Sequence, residues 1–216
     1  MELNKQLWNQ RYLDSNTGWD VGYITTPIKE YIDQIQNKEI KVLVPGSGNG
    51  YEAEYLYKLG FKNIFVLDYA NRAWENFKNR VNTFPKSNIY EINFFDLNQK
   101  FDLIIEQTFF CALGINLRTQ YVNKMSELLN DDGKLVGVLF DDKFNNERPP
   151  YGANFEEYKK LFKDRFLIKT FEKCYNSIPS RLSNEFFLIA KKNIWMYKKL
   201  CSNTSYINYF GYVSFI

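Results

Sequence analysis

The chain of 216 residues contains no histidine. That removes the commonest general base, the commonest zinc ligand and every hydrolytic triad built on an imidazole. Cysteine is scarce: Cys111, Cys174 and Cys201 stand far apart, with no CxxC pair or metal knuckle. Such usage fits a reducing compartment. No apolar run reaches the roughly 18 residues that a membrane span needs. The first fifteen residues lack the apolar centre of a signal peptide. The expected address is therefore the cytoplasm, with no membrane partner. Net charge is small as well, +3 from 28 basic and 25 acidic side chains. The two signs are interspersed, which gives no support for a nucleic-acid partner. What is abundant is aromatic surface, 18% of all residues within an apolar share of 45%. A chain of this length and composition can bury one substantial core.

The most informative stretch is 41–70. Val42, Leu43 and Val44 form a short apolar run of the kind found in a strand covered on both faces. Gly46, Gly48 and Gly50 follow at once, and a turn this tight needs residues without a Cβ. Residues 51–59 have helical spacing and end at Gly60; residues 64–67 read as the next strand, with Asp68 and Tyr69 after it. In an open parallel sheet, ligands bind beyond the carboxyl ends of the strands, where an acid such as Asp68 takes the ribose hydroxyls of a nucleoside. The loop is GxGxG, and Tyr51 stands where the dinucleotide fingerprint GxGxxG carries its third glycine. That disfavours an NAD-linked oxidoreductase and favours S-adenosyl-L-methionine, a nucleoside without a pyrophosphate.

The remaining pattern alternates helix and strand. Helices are predicted over 3–14, from Thr26 as N-cap and Pro27 as first residue to 36, and over 71–81, 118–129 and 154–163. Strands are predicted over 89–93, 101–105 and 134–140, the last entered by a turn at Asp131, Asp132 and Gly133. Residues 166–173 and 186–191 read as two antiparallel strands. The fold class is thus α/β, a doubly wound, mostly parallel Rossmann-like sheet with an antiparallel C-terminal strand pair. Residues 193–216 carry aromatics without a period and read as an extension of unknown role.

Four segments together resemble one family. WNQRYLDSNTGWDVGYITTP, VLVPGSGNGYEA, FDLIIEQTFFCAL and RPPYG resemble the tryptophan-rich entry segment, glycine loop, fourth-strand turn and proline loop of the thiopurine S-methyltransferase family. Within it, the resemblance is closest to the thiol/halide methyltransferase branch. It implies a methyltransferase domain over 1–192, with 1–26 covering the cofactor. The implied donor is S-adenosyl-L-methionine, leaving S-adenosyl-L-homocysteine. It also implies cofactor contacts for Trp8, Tyr12, Trp19, Gly46, Gly48, Asp68, Tyr69, Asp96, Leu97, Glu106 and Gln107. Glu106 replaces the family's usual Asp, and Gln107 stands where relatives carry Arg, Tyr or His.

Phe109 and Phe110 follow the fourth strand, where the acceptor is expected; for one of the two, a core position is the stronger reading. Cys111 reads as a small buried hydrophobe. Tyr151, on a loop stiffened by two prolines, is the catalytic candidate, capping the acceptor or bonding its nucleophilic atom. Arg181 reads as a solvated loop arginine. A soft nucleophile needs little or no base, which agrees with a chain lacking histidine. The expected reaction is methyl transfer to a small-molecule acceptor, a thiopurine-like or small thiol, with halide as a further class. The rival reading is a non-catalytic protein that holds the cofactor or its product. A monomer or weak homodimer is expected.

Overall fold

The computed structural model describes residues 4–144 and 147–194. Strands β1 (Lys41–Pro45), β2 (Asn63–Leu67), β3 (Ile89–Tyr90), β4 (Phe101–Gln107), β5 (Leu129–Phe140), β6 (Phe166–Lys173) and β7 (Glu185–Lys192) form one sheet of order β3-β2-β1-β4-β5-β7-β6. The first five pair in parallel; β7 runs antiparallel to both β5 and β6. This is the α/β arrangement expected from the sequence.

Helices α2 (Thr26–Asp33), α3 (Tyr51–Lys58), α4 (Ala73–Arg80), α5 (Arg118–Leu128) and α6 (Phe155–Phe162) cover the sheet, and α1 (Lys5–Leu13) precedes them. Alternate strand residues feed two cores. Leu43, Ile104 and Leu135 pack with Tyr121, Met125 and Phe162 on one face. Val42, Val44, Leu103, Ile105 and Val136 pack with Ile28, Leu56 and Phe77 on the other. Burial on both faces is why these strands read as unbroken apolar runs rather than as alternating ones.

Three local expectations change. The N-cap of α2 is Thr25 rather than Thr26: Thr25 has the extended backbone of a cap (φ −70°, ψ 148°) and makes no side-chain cap bond. Its hydroxyl instead donates to Gln107 Oε1 at 2.8 Å. The turn at 131–133 is absorbed into β5, which continues through an irregular register between Phe101 and Leu103 of its neighbour. The strand predicted over 89–93 ends at Tyr90, and Asn93 caps a short 3-10 turn, Phe94–Asp96. The tail reading concerns residues that from 195 onward lie outside the described ones, as does Leu3. Among the described residues, no helix is long and apolar enough to cross a membrane.

Strand order reverses direction between β1 and β4, so the chain leaves their carboxyl ends toward opposite sides. That opens a crevice at this switch point.

Candidate active site

A cavity of about 630 Å³ occupies this crevice. Gly46 of the glycine loop lines it, whereas Gly48 borders the smaller space beside it. Gly46, Gly48 and Gly50 have φ of 56°, 50° and 70°, a region that side chains other than glycine's rarely adopt. A Cβ at Gly46 would overlap the Phe109 ring, and one at Gly48 would come within 2.9 Å of Tyr12 Oη. Both glycines are thus required by close approach as well as by backbone conformation.

Asp68 lies at the end of β2, lining the cavity. Its Oδ2 accepts from Gly48 N at 3.1 Å and its Oδ1 from Ala70 N at 2.9 Å. Burial pushes its carboxyl up to about 6, against the opposing pull of these backbone donors. Tyr69 lines the cavity beside it, and Asn93, Phe94 and Phe95 form the adjoining wall. Asp96 is exposed and Leu97 belongs to the core; neither lines the cavity.

Helix α1 crosses above. It buries no residue fully, so its apolar side serves the cavity rather than the core. Trp8 and Tyr12 meet Trp19 edge-on, with ring centroids 5.5 and 5.7 Å apart. All three line the cavity, as does Arg11, whose guanidinium carbon lies 4.4 Å from the Trp19 ring centroid. Burial, and next the nearby Asp68, raise the pKa of the Tyr12 hydroxyl, which therefore stays protonated.

The turn after β4 is braced from within. Glu106 is 1% exposed. Its Oε1 accepts from the backbone N–H of Phe109 and Phe110 at 2.8 and 2.9 Å, and its Oε2 accepts from the Tyr121 hydroxyl. Gly137 on β5 faces it, and a Cβ there would come within 2.5 Å of Glu106 Cβ and of its carbonyl oxygen. Burial pushes the Glu106 carboxyl up to about 7, with the Tyr121 bond acting the other way. This carboxylate holds the turn and does not face the cavity. Its two amide bonds present Phe109 to the cavity and Phe110, 1% exposed, to the core. Cys111 lines the cavity with its thiol pKa raised by burial, the opposite of an activated nucleophile.

The far wall is apolar: Leu113, Leu117, Phe140, Phe144, Pro149 and Pro150. Tyr151 lies just outside this lining. Its hydroxyl donates to Glu147 O at 2.9 Å and its N–H to Cys111 O at 2.8 Å. Arg181 departs most from expectation. It is 7% exposed and lines the cavity, with Nη2 donating to Trp19 O at 2.6 Å. The signal available in the sequence was Glu185, four residues on, whose Oε1 lies 3.5 Å from Nη1. Arg11, Arg181, Asn93, Phe94, Phe95 and the Phe140–Phe144 pair are among the lining residues that sequence reasoning missed.

Solved structures bear out the fold. The chain superposes with a TM-score of 0.72 on the Burkholderia thailandensis 1,6-didemethyltoxoflavin-N1-methyltransferase, at 14% identity and 88% coverage of both chains. The thiopurine S-methyltransferase model matches residues 3–198, and the chain belongs to that family of S-adenosylmethionine-dependent methyltransferases. It is 28% identical to a probable thiol methyltransferase 2 of Arabidopsis thaliana, over 71% of this chain and 70% of the relative. It is 26% identical to thiocyanate methyltransferase 1 of the same plant, over 82% and 81%.

Proposed function

We propose that this enzyme transfers a methyl group from S-adenosyl-L-methionine to a small soft nucleophile, a thiol or thiopurine-like sulfur foremost, with thiocyanate-like or halide anions as a second acceptor class. One observation carries the reading. Among the described residues lining the cavity, the only carboxylate is Asp68, and the wall away from it is aromatic and aliphatic. An acceptor that must lose a proton from oxygen or nitrogen needs a base there. A thiolate or a halide does not. The names of the Arabidopsis relatives, a thiol and a thiocyanate methyltransferase, agree with this chemistry.

The residues fit such a donor. Gly46 of the glycine loop borders the cavity, and Asp68 lines it as an acceptor for ribose hydroxyls. The donor supplies an electrophilic methyl on a sulfonium. Trp8, Tyr12 and Trp19 wall that region with ring faces and edges, a cation–π environment worth about 0.5–2 kcal/mol when desolvated. Phe109, Leu113, Phe140 and the two prolines keep water from the acceptor and hold it in line with the methyl group. Residues 1–26 act as the cofactor-covering part of a domain spanning 1–192. The spaced cysteines support a cytosolic address for it.

A protein that only holds cofactor would close its acceptor side, whereas this cavity of about 630 Å³ extends past Phe109 to Phe144. The test supplies methyl-labelled donor with a small thiol, a thiopurine, thiocyanate and iodide. Transfer to at least one is expected. Tight binding of S-adenosyl-L-homocysteine with transfer to none would overturn the acceptor assignment.

A further inference from the structure

Two cations line the main cavity, Arg11 and Arg181, and their surroundings differ. Arg181 has the buried Glu185 carboxylate 3.5 Å from Nη1 and donates Nη2 to Trp19 O at 2.6 Å. Arg11 has no carboxylate within ion-pair distance among the described residues. Its hydrogen bond there runs from Nε to Asn16 O at 3.2 Å. The side chain is half-buried, and burial lowers its pKa with no carboxylate to oppose the shift. A guanidinium keeps its charge in such a setting. Arg11 therefore puts an uncompensated positive charge in the cavity wall.

The guanidinium carbon lies 4.4 Å from the Trp19 ring centroid and 5.4 Å from that of Trp8. Such contact covers the flat face of the group and leaves its N–H edge open. With Nε donating to Asn16, the two terminal nitrogens remain for a ligand. Their direction follows from α1. Asn9 accepts from Arg72 N at 3.1 Å at the start of α4, and Lys5 pairs with Glu91 just beyond β3. That flank of the helix looks to the β2–β3 edge of the sheet. Trp8 and Tyr12 come next around the helix and line the cavity. At about 100° per residue, Arg11 stands about 200° from Asn9, on the flank toward β4 and β5. The wall on that side, with Leu113, Phe140 and Phe144, is apolar.

We propose that Arg11 binds the carboxylate of an anionic thiol acceptor, so that the enzyme prefers a thiol carrying a carboxylate to its neutral counterpart. The inference rests on the acceptor reading above and narrows it. A carboxylate matches the planar fork of N–H donors that the stacked guanidinium leaves open. A thiol acid carries its charge and its sulfur at opposite ends, which lets one molecule meet Arg11 and the methyl group together. The carboxylate takes no part in the transfer. The acceptor sulfur forms the bond to the methyl carbon, the bond from methyl to sulfonium breaks with its electron pair on the donor sulfur, and the thiol proton leaves to water. Arg11 contributes binding and orientation.

The experiment compares mercaptoacetate with mercaptoethanol, thiols of equal length of which only the first is charged beyond its sulfur, on the full chain. The wild-type KM is expected to be lower for mercaptoacetate by about 10-fold or more, the scale of a hydrogen bond to a charged group. In Arg11→Met the ratio of the two KM values should fall to within about 2-fold of unity. Arg11→Lys, which keeps the charge but loses the fork, should give an intermediate ratio, and carries the test if Arg11→Met does not fold. Calorimetry on the chain saturated with S-adenosyl-L-homocysteine reads the same preference without turnover, using the two thioether products, (methylthio)acetate and (methylthio)ethanol. A wild-type chain that does not favour the charged member, or an Arg11→Met variant that still does, overturns the inference, as does binding of neither thioether. Transfer to neither thiol, with the calorimetric preference as expected, instead overturns the acceptor assignment and upholds the role of Arg11.

Discussion

The two sides of the cavity are built from different materials. The side proposed for the donor is made of backbone and charge: a glycine loop in left-handed conformation, Asp68 held by two main-chain amides, and the neighbouring side chains of Asp20, Glu52, Gln107 and Arg181. The side proposed for the acceptor is made of rings and aliphatic surface: Phe109, Leu113, Leu117, Phe140, Phe144, Pro149 and Pro150. A donor shared by a whole fold class has fixed polar groups, so its side is specified atom by atom. A soft acceptor offers few polar handles, so its side has shape and dryness to work with. Changes to the first side should therefore act on cofactor affinity, and changes to the second on acceptor kinetics.

The largest break is expected from Gly46→Ala. The new Cβ meets the Phe109 ring, and the left-handed backbone adds about 1–2 kcal/mol of strain. Affinity for S-adenosyl-L-homocysteine should fall more than about 30-fold, read by calorimetry. Unchanged affinity would mean that the donor does not pass this loop.

Glu106 joins the two sides, because it holds the turn that carries Phe109. Glu106→Ala leaves two amides and the Tyr121 hydroxyl without their buried acceptor, which should cost about 3 kcal/mol of stability in denaturant titration. Its carboxyl has a folded pKa raised to about 7, mainly by burial. The folded state then binds more protons than the unfolded one between about pH 4.3 and 7, so this group's contribution to stability declines as pH rises through that window. Glu106→Gln should flatten that part of the profile. A profile that keeps its slope would show that another group sets it; Glu52, raised to about 7 by burial, is the first to examine.

A smaller effect concerns Asp68, whose carboxyl sits at about 6. Protonation removes acceptor capacity from the carboxylate proposed to take the ribose hydroxyls. Affinity for 5′-methylthioadenosine should therefore weaken as pH drops below 6, and Asp68→Asn should be weaker throughout and lose that dependence. On the other side, Leu113→Ala should raise the acceptor KM by about 5-fold through lost apolar contact. It should leave S-adenosyl-L-homocysteine affinity within about 2-fold. Equal changes in both would dissolve the distinction between the two sides. The smallest effect is expected for Tyr151→Phe, because that hydroxyl is occupied by Glu147 O outside the cavity lining. A change of kcat below about 2-fold is predicted, whereas a loss of about 100-fold would assign the hydroxyl to proton transfer or alignment.

The donor side was largely legible in the sequence because its constraints are local. Gly46, Gly48 and Asp68 lie within one βαβ unit, and the apolar runs of β1, β2 and β4 betray strands buried on both faces. The acceptor side was less so. Phe140 and Phe144 look like any strand end, and their place in the wall depends on how β5 meets the proline loop. Arg181 was read as solvated because its partner Trp19 is 162 residues away in the chain, a distance that no local pattern spans. The N-cap of α2 was read as Thr26. Tertiary structure chose Thr25 and gave its hydroxyl to Gln107. The resemblance implied a cofactor contact for Asp96, but the third strand stops at Tyr90, and the 3-10 turn that follows presents Asn93, Phe94 and Phe95 to the cavity.

The central claim is that the acceptor side works without a general base, and the pH dependence of the rate with two acceptors tests it most directly. With thiocyanate, which has no proton to lose, kcat/KM should stay flat between about pH 7.5 and 9. With a small thiol it should rise with the thiol's own ionisation, near about pH 8.5. A rise of the same size with thiocyanate, or methylation of alcohols or amines in preference to both, would contradict it.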